Sequence, residues 1–212
     1  MIVFGSTISP YVRKVVAFAA EKGIEIEFRQ QGLGATDPDF LAASPFRKMP
    51  ALKDGDFTLA DSSAICAYLD AVQPEPALIP SEPQARGRTI WWDEFADTLL
   101  FACGAKMFFN RVVAPRFLGR EGDAEIADKA EREELPPLLD YLEGQVPADG
   151  FLVGDRVTLA DLAVASPFVN FDHMAVALGE RPRLTAYLGR ILARPSFAGV
   201  VAREKAFFAR AA

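Results

Sequence analysis

The sequence is poor in the residues that build disulfide frameworks, metal centres and histidine-based catalytic sites. Its 212 residues include two cysteines, Cys66 and Cys103, and one histidine, His173. The cysteines are far apart and form no Cys-x-x-Cys motif, which argues against a disulfide scaffold, a zinc site or a dithiol redox centre. A Ser-His-Asp mechanism would need His173 as its base. Since no Gly-x-Ser-x-Gly elbow is present, we interpret His173 as structural.

The chain also lacks an excess of positive charge and any long apolar run. Its formal net charge is −6 and its pI is about 4.9. An acidic chain without a basic run is a poor candidate for binding nucleic acid or an anionic membrane. No stretch of about 18 apolar residues occurs, so we expect no transmembrane helix. The N-terminal residues MIVFGSTISP have no basic region of the kind that begins a signal peptide, and a cytoplasmic protein is predicted.

What is present indicates two domains of different class. Residues 1–76 alternate between short strand-like runs and helical spacing in the order β-α-β-(α)-β-β-α, with Asp54-Gly55 as a hairpin signal. Residues 77–84 belong to the proline-rich stretch QPEPALIPSEPQ, whose composition is typical of a linker. Residues 85–212 show helical patterns and almost no strand signal. The predicted fold class is a small α/β domain followed by an all-helical domain.

Several element boundaries can be predicted within this arrangement. PYVRKVVAFAAEKG has helical spacing and stops at Gly23, and IEIEFRQ predicts a strand over 24–30. In the helical half, Pro136 and Pro137 are expected to kink or restart a helix. The stretch from Thr158 to Asp161 predicts a capping box with Asp in place of Glu.

The segment GSTISPYVRKV carries three hydroxyls, Ser6, Thr7 and Ser9, just before a helix that begins with Pro10. One interpretation is a helix N-cap, because Ser accepts from a free amide and Pro has no amide to satisfy. The other is a hydroxyl that donates to a ligand, since a helix start stabilises anions and thiolates. The two interpretations are compatible.

The segment RKMPAL places Pro50 at the start of a predicted strand. An edge-strand proline explains it, and so does a cis Met49-Pro50 bond that turns the Met49 backbone toward a ligand. Arg47 and Lys48 are either a solvated pair or the partners of a ligand carboxylate.

The segment DSSAI opens the next helix. Asp61 or Ser62 is expected to be its N-cap. The alternative is that the amides and hydroxyls of this helix start bind a carboxylate.

Together and in this order, these motifs resemble the glutathione S-transferase superfamily, and more narrowly its serine-type, bacterial-like members. The resemblance covers essentially the whole chain and includes the Thr-Leu-Ala-Asp box of the helical half. It implies a thioredoxin-like N-terminal domain, an all-helical C-terminal domain, a homodimer and a role in detoxification. It also implies glutathione as cosubstrate with no metal.

The resemblance also implies functional residues. Ser9 is similar to the catalytic hydroxyl of the serine-type members, with Ser6 and Thr7 as alternatives. Cysteine occupies this position in members that perform thiol-disulfide exchange, so serine argues against that activity.

Further roles implied by the resemblance concern the two halves of the site. The glutathione-binding positions are Lys48, Met49, Pro50, Asp61 and Ser62. The pocket for a small apolar electrophile would include Tyr11, Phe101, Met107 and Phe108. Alternatives that share this fold are a non-catalytic glutathione-binding or regulatory module and a glutathione-dependent isomerase or dehalogenase.

Overall fold

A computed structural model describes residues 1–210. Its N-terminal half alternates strands and helices in the predicted order. The strands are β1 (Ile2–Gly5), β2 (Glu27–Gln30), β3 (Ala51–Asp54) and β4 (Phe57–Ala60), and the helices are α1 (Pro10–Lys22), α2 (Pro38–Ala43) and α3 (Ser62–Val72).

The four strands form one mixed sheet in the order β2-β1-β3-β4. Strands β1 and β2 are parallel and joined by α1, whereas β3 lies antiparallel to both β1 and β4. Val3 pairs with Phe28 on one side and Leu52 on the other, which fixes β1 in the centre of the sheet. Gly55 has a φ of 59° in the β3–β4 turn, as the hairpin signal predicted. This is a thioredoxin-like arrangement.

Helix α1 ends where the sequence predicted, but β2 is shorter than expected. Gly23 adopts a left-handed conformation with φ 68° and ψ 21°. The next amide, that of Ile24, donates back to the Ala19 carbonyl at 2.9 Å. Because this hydrogen bond belongs to the end of α1, the start of the predicted strand 24–30 cannot pair with β1, and pairing begins at Glu27.

The second half is helical throughout its regular structure within the described residues. Its helices are α4 (Pro83–Glu94), α5 (Phe101–Phe108), α6 (Ala114–Phe117), α7 (Ala124–Lys129), α8 (Leu135–Gln145), α9 (Leu159–His173), α10 (Pro182–Leu192) and α11 (Pro195–Arg210). The fold is therefore a thioredoxin-like domain followed by an all-helical domain, as predicted. Helix α11 lies beyond the helical patterns recognised in the sequence. None of the described helices combines the length and apolarity needed to cross a bilayer.

Three stretches of wider, π-helical winding connect successive helices. They are Phe95–Leu100, Phe109–Val113 and Ala130–Glu134. The last ends at Glu134, two residues before Pro136 and Pro137, whose missing amide hydrogens remove two helical hydrogen bonds. The prolines therefore fall in the first turn of α8, at the restart that the sequence allowed.

The segment between α3 and α4 packs against both halves. The Leu78 side chain is buried, its amide donates to Asp70 at 3.2 Å, and its carbonyl accepts from the Leu159 amide at 2.9 Å. Proline-rich composition predicted a linker, and these contacts hold it against the start of α9.

The predicted capping box at the start of α9 is confirmed. The Asp161 carboxylate accepts from the Thr158 amide at 2.9 Å. It also accepts from the Leu152 amide and the Tyr187 hydroxyl, each at 2.8 Å. Asp161 is fully buried, so these hydrogen bonds replace its hydration.

Candidate active site

The loop between β1 and α1 carries the three hydroxyls identified in the sequence, Ser6, Thr7 and Ser9. Gly5, which ends β1, has a φ of 154°. A Cβ atom at Gly5 would lie 2.6 Å from a methyl group of Val12. Only glycine allows this approach, so the end of β1 lies directly against α1 and the loop follows closely over the helix start.

Ser9 is the N-cap residue of α1, but it caps the helix with its backbone alone. Its amide donates to the Ser6 carbonyl at 2.9 Å, and its own carbonyl accepts from the Arg13 amide at 3.0 Å. The Ser9 side chain makes no capping hydrogen bond, and Pro10 supplies the first helical residue. The side-chain cap considered for Ser9 is therefore not formed, and within the described residues its hydroxyl is left for another partner.

A cavity of about 1100 Å³ opens beside this loop, between the two halves of the chain. Ser6, Thr7 and Ser9 form part of one wall, together with Met49. Much of the remaining wall is aromatic, from Phe28, Phe101, Phe108, Phe117 and Phe207. The site thus combines a few hydroxyls with a large apolar surface, which is typical of a small-molecule site.

Two of the four residues predicted for the electrophile pocket lie elsewhere. Phe101 and Phe108 line the cavity, but Met107 is fully buried in the core. Tyr11 packs on Phe101 with ring centroids 4.3 Å apart, and its hydroxyl donates to the Asp97 carbonyl at 3.1 Å. Burial raises the pKa of Tyr11, so its phenol is neutral. Neither Tyr11 nor Met107 is part of the cavity lining.

The loop before β3 is fixed by a serine that the sequence did not single out. The Ser44 hydroxyl donates to the Lys48 carbonyl at 2.6 Å and accepts from the Lys48 amide at 2.9 Å. The Met49-Pro50 bond that follows is cis, and Met49 lines the cavity while Pro50 is buried. The Lys48 side chain is exposed.

Asp61 is the N-cap of α3, which the sequence had offered as one of two interpretations. Its Oδ1 accepts from the amides of Ser63 and Ala64, each at 3.0 Å, and its φ is 84°. Ser62 is buried and its hydroxyl lies 3.4 Å from the Asp97 carboxylate. Neither Asp61 nor Ser62 lines the aromatic cavity. They lie at a separate helix start on the same half of the chain.

Sequence reasoning missed the contribution of α11. Arg203, Glu204 and Phe207 all line the cavity. A helical signal was present after Pro195, because buried Phe197 and Val200 continue the 3-4-3 spacing toward Glu204 and Phe207.

Glu204 is the buried acid of the site. It accepts from Arg13 at 3.2 and 2.8 Å, and His173 Nε2 lies 3.1 Å from its Oε2. Burial alone raises the pKa of Glu204, but hydrogen bonding from His173 and the charge of Arg13 outweigh burial and lower it. The carboxylate is therefore ionised and paired, and His173 lies in a buried ion-pair cluster rather than beside a serine nucleophile.

Comparison with known proteins decides the family. A model described as "Glutathione S-transferase, N-terminal domain" matches residues 3–77, and one described as "Glutathione S-transferase, C-terminal domain" matches residues 90–195. The chain belongs to the glutathione S-transferase family. As a glutathione S-transferase it is a transferase. Within residues 1–210, no group of three or more His, Cys, Asp and Glu side chains is arranged to hold a metal ion.

Curated relatives and solved structures agree with this assignment. This glutathione S-transferase is 28% identical over 208 residues to a Hyoscyamus muticus protein named "Glutathione S-transferase", covering 95% of this chain and 97% of the relative. It is 32% identical to "Glutathione S-transferase 3" of Zea mays, covering 94% of this chain and 92% of the relative. The crystal structure of glutathione transferase F7 from Populus trichocarpa superimposes with a TM-score of 0.82 at 28% identity, covering 95% and 97% of the two chains.

Proposed function

We propose that this glutathione S-transferase is a serine-type, bacterial-like member in which the Ser9 hydroxyl donates a hydrogen bond to the sulfur of glutathione. The observation that carries the proposal is the hydroxyl of a cavity-lining residue at the start of a 13-residue helix, with no capping role of its own. The helix start adds partial positive charge at the same place. Ser6 and Thr7 line the same wall and are the alternatives that the experiment below separates.

The energy required for thiolate formation is within reach of one hydrogen bond. A cysteine-like thiol has a pKa of about 8.5, so only a few per cent is ionised at neutral pH. Lowering that pKa by one unit requires about 1.4 kcal/mol of preference for the thiolate. A hydrogen bond to a charged group contributes about 1.5–3 kcal/mol, which corresponds to one or two units. No general base is then needed.

The rest of the glutathione contacts are proposed at the two neighbouring loops. The Met49 backbone beside the cavity would pair with the cysteinyl part, and exposed Lys48 would bind the glycine carboxylate. Asp61 uses only Oδ1 in its cap, which leaves Oδ2 for the γ-glutamyl ammonium. Ser62, at the first position of α3, would hold the γ-glutamyl carboxylate through the helix start.

The electrophile is proposed to be a small apolar molecule held against aromatic rings. Phe101 and Phe108 keep the role given to them, supported by their place in the cavity wall. In contacting the electrophile, Phe117 and Phe207, which line the same cavity, take the place proposed for Tyr11 and Met107. The homodimer implied by the resemblance and the cytoplasmic location predicted from the cysteines and the N-terminal residues stay predictions, and sedimentation analysis measures the first.

The test is conjugation of a chlorodinitrobenzene-type electrophile by the wild type and by Ser9→Ala, with Ser6→Ala and Thr7→Val as matched controls. We expect Ser9→Ala to lower kcat at neutral pH by roughly 10- to 100-fold, the loss of one hydrogen bond to a charged group. Ser6→Ala should stay near wild-type activity, and Thr7→Val, which removes a hydroxyl that hydrogen-bonds to Glu204, should lose less activity than Ser9→Ala. Equal activity of Ser9→Ala and wild type would contradict the role of Ser9. Retention on immobilised glutathione without turnover of any electrophile would instead support the binding-module alternative.

A further inference from the structure

Helix α9 holds the backbone on both sides of Ser9. The Asn170 side-chain amide donates to the Ile8 carbonyl at 3.0 Å, and the Ser166 hydroxyl donates to the Pro10 carbonyl at 2.7 Å. These carbonyls belong to the residues directly before and after Ser9. Two side chains that lie about 160 positions away along the chain therefore hold the peptide that carries the proposed catalytic hydroxyl.

Both side chains are well placed for this task. Ser166 and Asn170 are four residues apart in α9, so they lie on one face of the helix. They are 1% and 5% exposed. Water therefore competes little for their hydrogen bonds, and a lost partner would leave a buried polar group unsatisfied.

Arg13 fixes the direction in which Asn170 donates. One guanidinium nitrogen of Arg13 donates to Asn170 Oδ1 at 3.0 Å and to the Ser166 carbonyl at 2.6 Å. Since Arg only donates, the amide oxygen of Asn170 must face it, and the NH₂ group is left for the Ile8 carbonyl. Arg13 is itself held by the buried carboxylate of Glu204 at 2.8 Å. The arrangement forms a continuous chain from α11 through Arg13 and α9 to the Ser9 loop.

We infer that Asn170 and Ser166 are positioning residues that set the aim of the Ser9 hydroxyl toward the glutathione sulfur. The inference rests on the proposed function of Ser9. A hydroxyl that loses its fixed direction still lies near the sulfur, but it donates a longer or poorly aligned hydrogen bond and stabilises the thiolate less. Glutathione affinity depends on other loops and should change little.

The test uses two variants and a direct readout of thiolate formation. Asn170→Asp keeps the oxygen that accepts from Arg13 but places an acceptor against the Ile8 carbonyl, and Ser166→Ala removes the hydroxyl that reaches Pro10. The pKa of bound glutathione is measured by titrating the ultraviolet absorbance of its thiolate. We expect each variant to raise that pKa by about half to one unit and to lower kcat below the pKa by a similar factor, roughly 3- to 10-fold. The KM for glutathione should stay within about twofold.

Ser196→Ala is the matched control for Ser166→Ala. Ser196 is also a buried serine, and it lies in the first turn of α11, where its hydroxyl donates to Glu21 of α1. We expect Ser196→Ala to lower the midpoint of urea unfolding without moving the pKa of the bound thiol. If Asn170→Asp does not fold, Ser166→Ala alone decides the question.

The outcomes separate this inference from the proposed function. If Ser9→Ala itself leaves the thiol pKa unchanged, the proposed function fails and the positioning role fails with it. If Ser9→Ala raises the pKa while folded Ser166→Ala and Asn170→Asp do not, only the positioning role is overturned. A pKa rise that recurs in full when the neutral substitution Ser166→Ala is added to Ser9→Ala also overturns it, because the effect would then not pass through Ser9.

Discussion

Replacing Glu204 by glutamine should be among the most destabilising conservative changes in the molecule. Glu204 is 3% exposed and pairs with Arg13, which is 0% exposed. Glutamine keeps the size of the side chain but leaves the guanidinium charge buried without a counter-charge. Breaking a buried ion pair on one side costs about 3–5 kcal/mol. Against a total stability of about 5–15 kcal/mol, this loss should move the urea midpoint far below that of the wild type.

The neighbouring residue of α11 supplies a control. Lys205 pairs with Asp172 at 2.8 Å, and both side chains are 57% exposed. Because surface ion pairs contribute about 0–1 kcal/mol, Lys205→Gln should leave the unfolding free energy nearly unchanged. The double variant Arg13→Met/Glu204→Gln should be less destabilised than the sum of its single variants, since it removes both charges.

The loss of unfolding free energy caused by Glu204→Gln should also depend on pH in a defined direction. The folded-state pKa of Glu204 is lowered, so its carboxylate contributes stability that is present above the unfolded value of about 4.3. That contribution is lost as the pH falls through the folded pKa. The difference in unfolding free energy between wild type and Glu204→Gln should therefore narrow below about pH 4. The reasoning would be refuted if Glu204→Gln lowered the unfolding free energy no more than Lys205→Gln does. It would also be refuted if the difference in unfolding free energy between wild type and Glu204→Gln did not narrow in acid.

The remaining predictions concern groups whose burial is decisive. Tyr187→Phe removes one hydrogen-bond donor from the buried Asp161 carboxylate, so the unfolding free energy should fall by about 1–3 kcal/mol, and an unchanged urea midpoint would contradict the assigned contact. Burial raises the pKa of both cysteine thiols, that of Cys103 to about 11. Thiol reagents at neutral pH should therefore modify Cys66 and Cys103 slowly in the native protein and quickly in urea. Rapid labelling of the native protein would contradict the buried position of these two thiols.

Local rules predicted the elements whose ends are set by their own residues. Pro10 begins α1 because proline has no amide hydrogen to satisfy, and Gly23 ends it because glycine tolerates a positive φ. The Thr158 to Asp161 box likewise depends only on neighbours in the chain. The order of strands and helices follows from such signals.

The walls of the site depend on contacts between distant residues, which local patterns do not encode. Arg13 and Glu204 are 191 positions apart, and no helical period in either segment indicates that they meet. Met107 and Phe108 are adjacent in sequence, yet only Phe108 faces the cavity. Successive residues of an α-helix point about 100° apart around its axis, and which of the two faces the cavity is decided by how α5 packs against the rest of the chain.

Two adjacent buried cations of α1 each form ion pairs with acids of the helical half. Arg13 points toward Glu204 of α11, whereas Lys14, also buried, contacts Asp93 and Asp97 at 2.7 Å each. A recombinant chain that joins this N-terminal half to a helical half without acids at those three places would bury two uncompensated charges. The halves are therefore not interchangeable modules. Loss of Glu204, or of Asp93 and Asp97 together, leaves a buried cation of α1 without a counter-charge. A compensating change in α1 would then restore part of the lost stability, which links sequence drift across the domain boundary.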